Sequence, residues 1–225
     1  MSGDLQAVCL TALLAATTTL LLVPLASPLA WWLARSTSSS RSVIEAVVAM
    51  PLVLPPTVLG FYLLIMLNPE SAVGSLWVEL TGDSLTFSFS GLVIASIIYS
   101  LPFMVQPLQA GFRAVPESVL EAAATLGASP LDRWLNVVLP MVKRGYLTGC
   151  VLTFAHTVGE FGVVLMMGGN IPGETRVLSI AIYEHVETLN YDAAHVLALG
   201  LLGFSFLSLW LVYRFAGHRF EVVRG

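Results

Sequence analysis

Val8 to Leu33 reads VCLTALLAATTTLLLVPLASPLAWWL, a run without one charged side chain. It exceeds the roughly 20 apolar residues that carry a helix across a hydrocarbon core about 30 Å thick. In such a medium the backbone must satisfy its own hydrogen bonds, so the run is predicted to be a helix. A cleaved targeting peptide is the other reading of an apolar run near the start of a chain. Against it, the leading residues carry Asp4 and no basic side chain, the run is longer than the usual 7–15 residues, and Arg35 and Arg41 follow it. The segment is expected to stay in the mature protein, with its N-terminus outside.

Four further runs, at about 43–67, 89–112, 145–167 and 193–215, have the same character. The fold class is therefore all-α integral membrane protein, with about five transmembrane helices. Composition agrees: 56% of the 225 residues are hydrophobic types, 11% are charged and the mean hydropathy is +0.84, against about 25% charged in an average soluble domain. Five crossings use nearly the whole chain, so residues 1–225 are read as one transmembrane domain with no separate soluble one. Cys9 and Cys150 fall inside apolar runs and are expected to be small buried residues, not a disulfide.

The net charge of −4 says less than the placement of the charges. Lys and Arg accumulate in cytoplasmic loops. With the N-terminus outside, Arg35, Arg41, Arg113, Arg133, Lys143, Arg144, Arg214, Arg219 and Arg224 fall on the cytoplasmic side, and Arg176 alone falls outside. The outer loops hold Glu70, Glu79, Asp83, Glu174, Glu184, Glu187 and Asp192. A multi-pass protein of a bacterial-type inner membrane, C-terminus cytoplasmic, is expected.

The longest cytoplasmic segment, about 113–144, is too polar to cross. Pro116, the Glu117 and Glu121 pair one turn apart, and Ala122, Ala123 and Ala124 predict a short helix. Gly127 is placed to end it as a left-handed cap. Ser129, Pro130 and Asp132 predict the start of a second helix, leading to Leu139 and Pro140. Small alanines allow close approach of a partner surface, the glycine allows a corner, and the glutamate offers a charge-assisted bond to a partner's Arg or Lys.

Glu121-Ala122-Ala123, then Gly127, then Val137-x-Leu139-Pro140 resembles the EAA motif of ABC-importer permeases in type and spacing, with Val in place of Ile. In that family the short helix docks on a cytoplasmic ATPase. The resemblance implies that Glu117, Glu121, Ala122, Ala123, Gly127, Leu139 and Pro140 couple this chain to such a partner, within a type I importer architecture. A second stretch, Gly159-Glu160-Phe161-Gly162 followed by Gly169-Asn170-Ile171-Pro172-Gly173-Glu174-Thr175-Arg176, is similar to the molybdate and tungstate permeases, with sulfate permeases as relatives. Leu52 to Val58, including Pro55, Pro56 and Thr57, fits the same group. The resemblance implies a subunit of an ATP-driven importer of molybdate or a related oxyanion. It also implies a homodimer of permeases in membrane lipid, cytoplasmic ABC ATPase subunits and an external oxyanion-binding protein. No nucleic acid is expected, and no cofactor in this chain, since ATP and magnesium would be bound by the ATPase.

The residues themselves offer pathway or gate candidates in Pro55, Pro56, Thr57, His156, Gly159 and Glu160. His156 and Glu160 stand one helical turn apart in the fourth run, between or beside glycines, where ionisable groups are costly and usually functional. A carboxylate is a poor ligand for an anion. A gate or helix-packing role, with a hydrogen bond to a neighbouring span, is one reading; a hydrated pair near the interface is the other. No Lys or Arg lies in the interior of any run, so an anion in transit would meet helix N-termini, hydroxyls and water. Pro51, Pro55 and Pro56 in the second run and Pro102 and Pro107 in the third interrupt backbone hydrogen bonding and predict kinks that hinge or leave carbonyls facing a cavity, which makes these two runs the candidates for a moving gate. Gly60, Gly91, Gly149, Gly159 and Gly162 would permit close helix approach.

Lys143 is the one lysine and Arg144 follows it, so no Gly-Lys-Ser/Thr of a P-loop is possible. His156 with Glu160 lacks the second histidine of a His-Glu-x-x-His metalloprotease. A proton-coupled secondary transporter working through Glu160 remains the rival function; it accounts for the intramembrane carboxylate and not for the 113–144 segment.

Overall fold

The computed structural model describes residues 3–216, all of whose regular elements are helical. Arg219 and Arg224 of the charge pattern lie outside the described residues. Three long helices make the centre: α1 (Gly3–Arg35), α5 (Phe89–Arg113) and α8 (Leu139–Gly159). One core cluster joins Leu14, Leu92, Val163, Met167 and Ile180; a second, further along, joins Leu22, Leu33, Met104, Leu108, Phe112 and Val142. Around this centre run α2 (Arg41–Ala49), α3 (Pro56–Met66), α4 (Ala72–Thr81), α6 (Glu117–Thr125), α7 (Pro130–Arg133), α9 (Gly162–Gly168), α10 (Leu178–Glu187) and α11 (Tyr191–Ala216).

Four helical segments are long and apolar enough to cross a membrane, Gly3–Arg35, Phe89–Arg113, Pro130–Gly159 and Tyr191–Arg214. Among the described residues a fifth crossing is available if the pair Arg41–Leu52 and Pro56–Met66, bent by 108°, is one broken span. Here the expectation of one helix over 43–67 is corrected. A 3-10 turn over Met50–Leu52 and an extended Pro55 (ψ 133°) interrupt it, because a residue before proline is pushed out of the helical region. The fourth run is corrected as well. Its helix starts at Pro130, passes through a π turn at Trp134–Val138 and stops at Gly159, where Glu160 turns extended (ψ 135°). Residues 162–168 form the separate α9. By contrast α5 runs unbroken through Pro102 and Pro107, so the hinge expected in the third run is not a break. Cys9 is exposed and Cys150 half-buried, both as free thiols; the buried reading of Cys9 is corrected, since its side of α1 faces away from the bundle.

The two ends of the bundle carry different charges. At one end Asp4 lies 3.0 Å from His185 Nε2 and 3.9 Å from Arg176, which pairs with Glu184 at 3.0 Å. At the other, Arg35 donates to Val115 O at 2.7 Å and Phe112 O at 3.4 Å and covers the Trp31 ring at 5.0 Å. Arg41 and Arg113 both bond Glu45 there. The segregation expected for Arg35, Arg41, Arg113 and Arg176 is thus present in space.

Candidate functional site

Two places gather the candidate residues. The first is α6, which stands off the Arg35 end of the bundle with none of its residues fully buried. Its C-terminus is closed by a glycine in the left-handed region: Gly127 has φ +85°, Gly127 N–H donates to Ala124 O at 2.9 Å and Ala128 N–H to Ala123 O at 3.0 Å. That pair of bonds is a Schellman motif, which satisfies carbonyls a helix end would orphan. Ser129 Oγ then accepts from Asp132 N–H at 3.2 Å and starts α7. Glu117, Glu121 and Ala122 are exposed, Ala123 half-buried, and Leu126 at the corner is 89% exposed. Leu139 and Pro140 open α8 beyond the π turn, some distance along the chain from this corner.

Sequence reasoning missed what anchors α6. Leu120, its inward-facing residue, packs on the second core cluster with Trp31 and Trp134, beside a hollow of about 300 Å³ also lined by Pro130, Arg133 and Val138. Trp31, Phe112, Trp134 and Tyr146 form an aromatic chain with edge or tilted contacts of 5.2–6.2 Å. The available signal was the spacing of Leu120 against the exposed Glu117 and Glu121.

The second place is a cavity of about 560 Å³ at the double break in the spans. Its walls include Pro56 and Thr57 from the first turn of α3, Tyr99 from α5, His156 and Gly159 from the end of α8, and Glu160, Phe161 and Gly162 from the break. Five of the six pathway candidates therefore meet at one site, though they come from different runs; Pro55 caps α3 next to it. Gly162 and Gly60 are what let α3 lie against α9. A Cβ on Gly162 would stand 2.7 Å from Pro56 Cβ, and one on Gly60 would stand 2.7 Å from Met166 Cβ. A Cβ on Gly159 would meet nothing within 4 Å, so the close approach expected there is absent.

His156 and Glu160 do not face each other as a helical pair. Glu160 is 4% exposed; its Oε2 accepts from Ser96 Oγ at 3.0 Å, while Oε1 has no partner among the described residues. Its main-chain carbonyl accepts from Ser179 Oγ at 2.5 Å. His156 shares a 2.9 Å hydrogen bond through Nδ1 with Ser100 Oγ, which also bonds Thr157 Oγ1 at 3.0 Å. The imidazole stacks on Phe103 at 4.0 Å and lies 4.8 Å from Tyr99. The hydrogen bond to a neighbouring span is thus present twice, through Ser96 and Ser100. These serines sit four apart and so share one face of α5, a signal that the sequence did carry. No group of three or more potential metal ligands occurs among the described residues.

The loop joining α9 to α10 is held by Thr175, which is fully buried. Its Oγ1 donates to Gly168 O at 2.6 Å and accepts from Ile171 N–H at 3.1 Å. The Gly169-to-Arg176 stretch is therefore a tied corner at the Asp4 end of the bundle.

Residues 26–219 match the family model described as binding-protein-dependent transport system inner membrane component. The chain belongs to that family. Among relatives of this permease, the molybdenum transport system permease protein ModB of Azotobacter vinelandii is 54% identical over 210 residues, 93% of each chain. ModB of Escherichia coli K12 is 34% identical over 183 residues, covering 81% of the permease and 80% of the relative. A probable sulfate transport system permease protein of Chlorella vulgaris is 32% identical over 192 residues, 85% and 72% of the two chains. Among solved structures, a bacterial alginate ABC transporter in complex with an alginate-bound periplasmic protein contains a chain of TM-score 0.74 at 16% identity. That match covers 95% of the permease and 78% of the other chain. A second alginate importer structure gives 0.72 at 18% identity. The permease thus has the ABC-importer permease fold of type I architecture, and it spans a membrane several times.

Proposed function

We propose that the permease is the translocating subunit of an ATP-driven importer that carries molybdate, or a related tetrahedral oxyanion such as tungstate or sulfate, into the cytoplasm. The observation that carries the reading is the exposed α6, ended by a left-handed Gly127 and seated through Leu120 on the aromatic chain between α1, α5 and the start of α8. A helix so placed offers Glu121, Ala122, Ala123 and Leu126 to a partner while a push on it is passed to three spans. The partner is an ABC ATPase, two copies for a symmetric pair of permeases. The substrate is supported by the ModB relatives, the nearer of those described being 54% identical. The Arg35 end then faces the cytoplasm and the Asp4 end faces outward.

In this reading the cavity at Thr57, Tyr99, His156 and Glu160 belongs to the pathway. Its hydroxyls and imidazole can replace water around an anion, and no Lys or Arg is among its lining residues to retain one. Glu160 is buried in this wall and bonded to Ser96 of α5, so it holds the break of the fourth run in place and does not ligate the anion. Selectivity and affinity then reside in an external binding protein that docks at the Asp4 end. The exposed apolar side chains of α3, Val58, Phe61, Tyr62 and Ile65, belong to the helix whose first turn walls the cavity, and they offer a face on which a second permease copy completes the pathway.

The test is uptake of labelled molybdate into proteoliposomes holding the permease, with and without its ATPase, its binding protein and ATP, with tungstate and sulfate as competitors. Uptake that needs ATP and both partners is expected. Uptake driven by a proton gradient through the permease alone would replace this function with secondary transport.

A further inference from the structure

One carboxylate ties the bent span to the chain just ahead of α6. Glu45, in the middle of α2, accepts on a single oxygen, Oε1, from Arg41 Nε at 3.2 Å, from Gln109 Nε2 at 2.6 Å and from Arg113 Nη2 at 2.6 Å. Gln109 and Arg113 are one turn apart at the end of α5, so they present donors on the same face. Gln109 is 8% exposed, and its amide nitrogen also donates to Leu33 O of α1 at 3.3 Å. A single polar knot therefore gathers α1, α2 and α5.

The knot has little apolar help. Val48 is the one fully buried residue of α2, so burial contributes little to holding that helix on α5. Each surface ion pair alone would be a weak restraint, since the Glu45 side chain is 35% exposed. The directional strength comes from charged hydrogen bonds that converge from two helices on one atom, one of them from a buried amide. On either side of the knot the chain leads to a functional element. Beyond Arg113, Pro116 introduces α6. Beyond Glu45, α2 passes into the Met50–Leu52 turn and the 108° bend, and then into the first turn of α3, where Pro56 and Thr57 wall the cavity.

We infer that Glu45 is a positioning residue that makes α2 travel as one body with the end of α5, so that displacement of α6 reaches α3 and reshapes the cavity. The inference rests on the ATP-driven cycle proposed above, in which α6 is what the ATPase moves. Without Glu45, α6 and α5 still respond to ATP, and α3 does not follow.

The experiment uses the assembled transporter, permease with ATPase and binding protein, in proteoliposomes, with ATP hydrolysis and molybdate uptake measured together. Glu45→Ala is expected to raise the ATP hydrolysed per anion imported by at least about fivefold, the lower end of usual inter-site coupling, with hydrolysis itself near the parent rate. Glu45→Gln keeps an acceptor for Gln109 and loses the ion pairs; it is expected to fall between, and it serves as the readout if the alanine variant does not assemble. A covalent bridge supplies the rescue: Glu45→Cys with Arg113→Cys, in a Cys9→Ser, Cys150→Ser background, is joined by a bifunctional thiol-reactive linker and is expected to bring the ratio back. An unchanged ratio in the variants, or a bridge that blocks uptake, overturns the inference. Failure of the unaltered complex to import with ATP would instead overturn the importer reading, so the two failures are told apart.

Discussion

Substitution at Gly127 isolates the corner of α6 from everything else in the permease. The residue sits at φ +85°, and a Cβ added there meets nothing within 4 Å, so no packing cost arises. The cost is conformational: an ordinary L residue in the left-handed region loses about 1–2 kcal/mol, and asparagine, which visits that region more readily, loses less. A change of 1–2 kcal/mol lowers the population of the closed corner by a factor of roughly 5–30. The bonds at stake are those from Gly127 N–H to Ala124 O and from Ala128 N–H to Ala123 O, and no residue of the two core clusters is touched. Membrane insertion, yield and detergent Tm should therefore match the parent, while ATP-dependent uptake in proteoliposomes falls in the order Gly, Asn, Ala, Val. Uptake in Gly127→Val equal to the parent, or an Asn variant worse than the Ala one, would refute the assignment of this corner.

Three other outcomes are expected. Gly162→Ala should cost about 1–3 kcal/mol by overpacking, read as a lower Tm in detergent, because its Cβ would stand 2.7 Å from Pro56 Cβ; Gly159→Ala, with open space around it, should leave Tm within error. Glu160→Gln preserves an acceptor for Ser96 Oγ whereas Glu160→Leu removes it, so ATP-driven uptake and Tm should hold in the first variant and fall in the second; equal loss in both refutes the packing role. Thr175→Val leaves the Gly168 carbonyl and the Ile171 N–H without the hydroxyl that now serves both, and should cost about 1–3 kcal/mol, seen as faster proteolysis in the 169–176 corner.

Three of the five spans were legible from hydropathy alone: 8–33, 89–112 and 193–215 lie within Gly3–Arg35, Phe89–Arg113 and Tyr191–Ala216, give or take a residue or two. The other two failed for a common reason. Hydropathy records which residues belong in lipid and is blind to backbone direction, so Leu52 to Val58 and Thr157 to Val163 read as continuous where the chain turns. The warning was in Pro55-Pro56 and in glycines 159 and 162 around Glu160, read as hinge and packing signals and not as breaks. The helix 130–159 also outruns its apolar part, because Asp132, Arg133, Lys143 and Arg144 leave the hydropathy window while remaining helical. The α6 corner was predictable because caps are local chemistry. The cavity was not, because Thr57, Tyr99 and Glu160 become neighbours only after both breaks are made.

The start of α1 finds its partners near the other end of the sequence. Thr11 Oγ1 donates to Ala7 O and accepts from Leu178 N–H, each at 2.7 Å, and Asp4 meets Arg176 and His185. During synthesis the first helix therefore enters the bilayer with a buried hydroxyl and a carboxylate whose counterparts the ribosome has yet to make. The first helix made is thus among the last to be latched, since the contacts of Thr11 and Asp4 wait for the Arg176-to-His185 stretch to emerge.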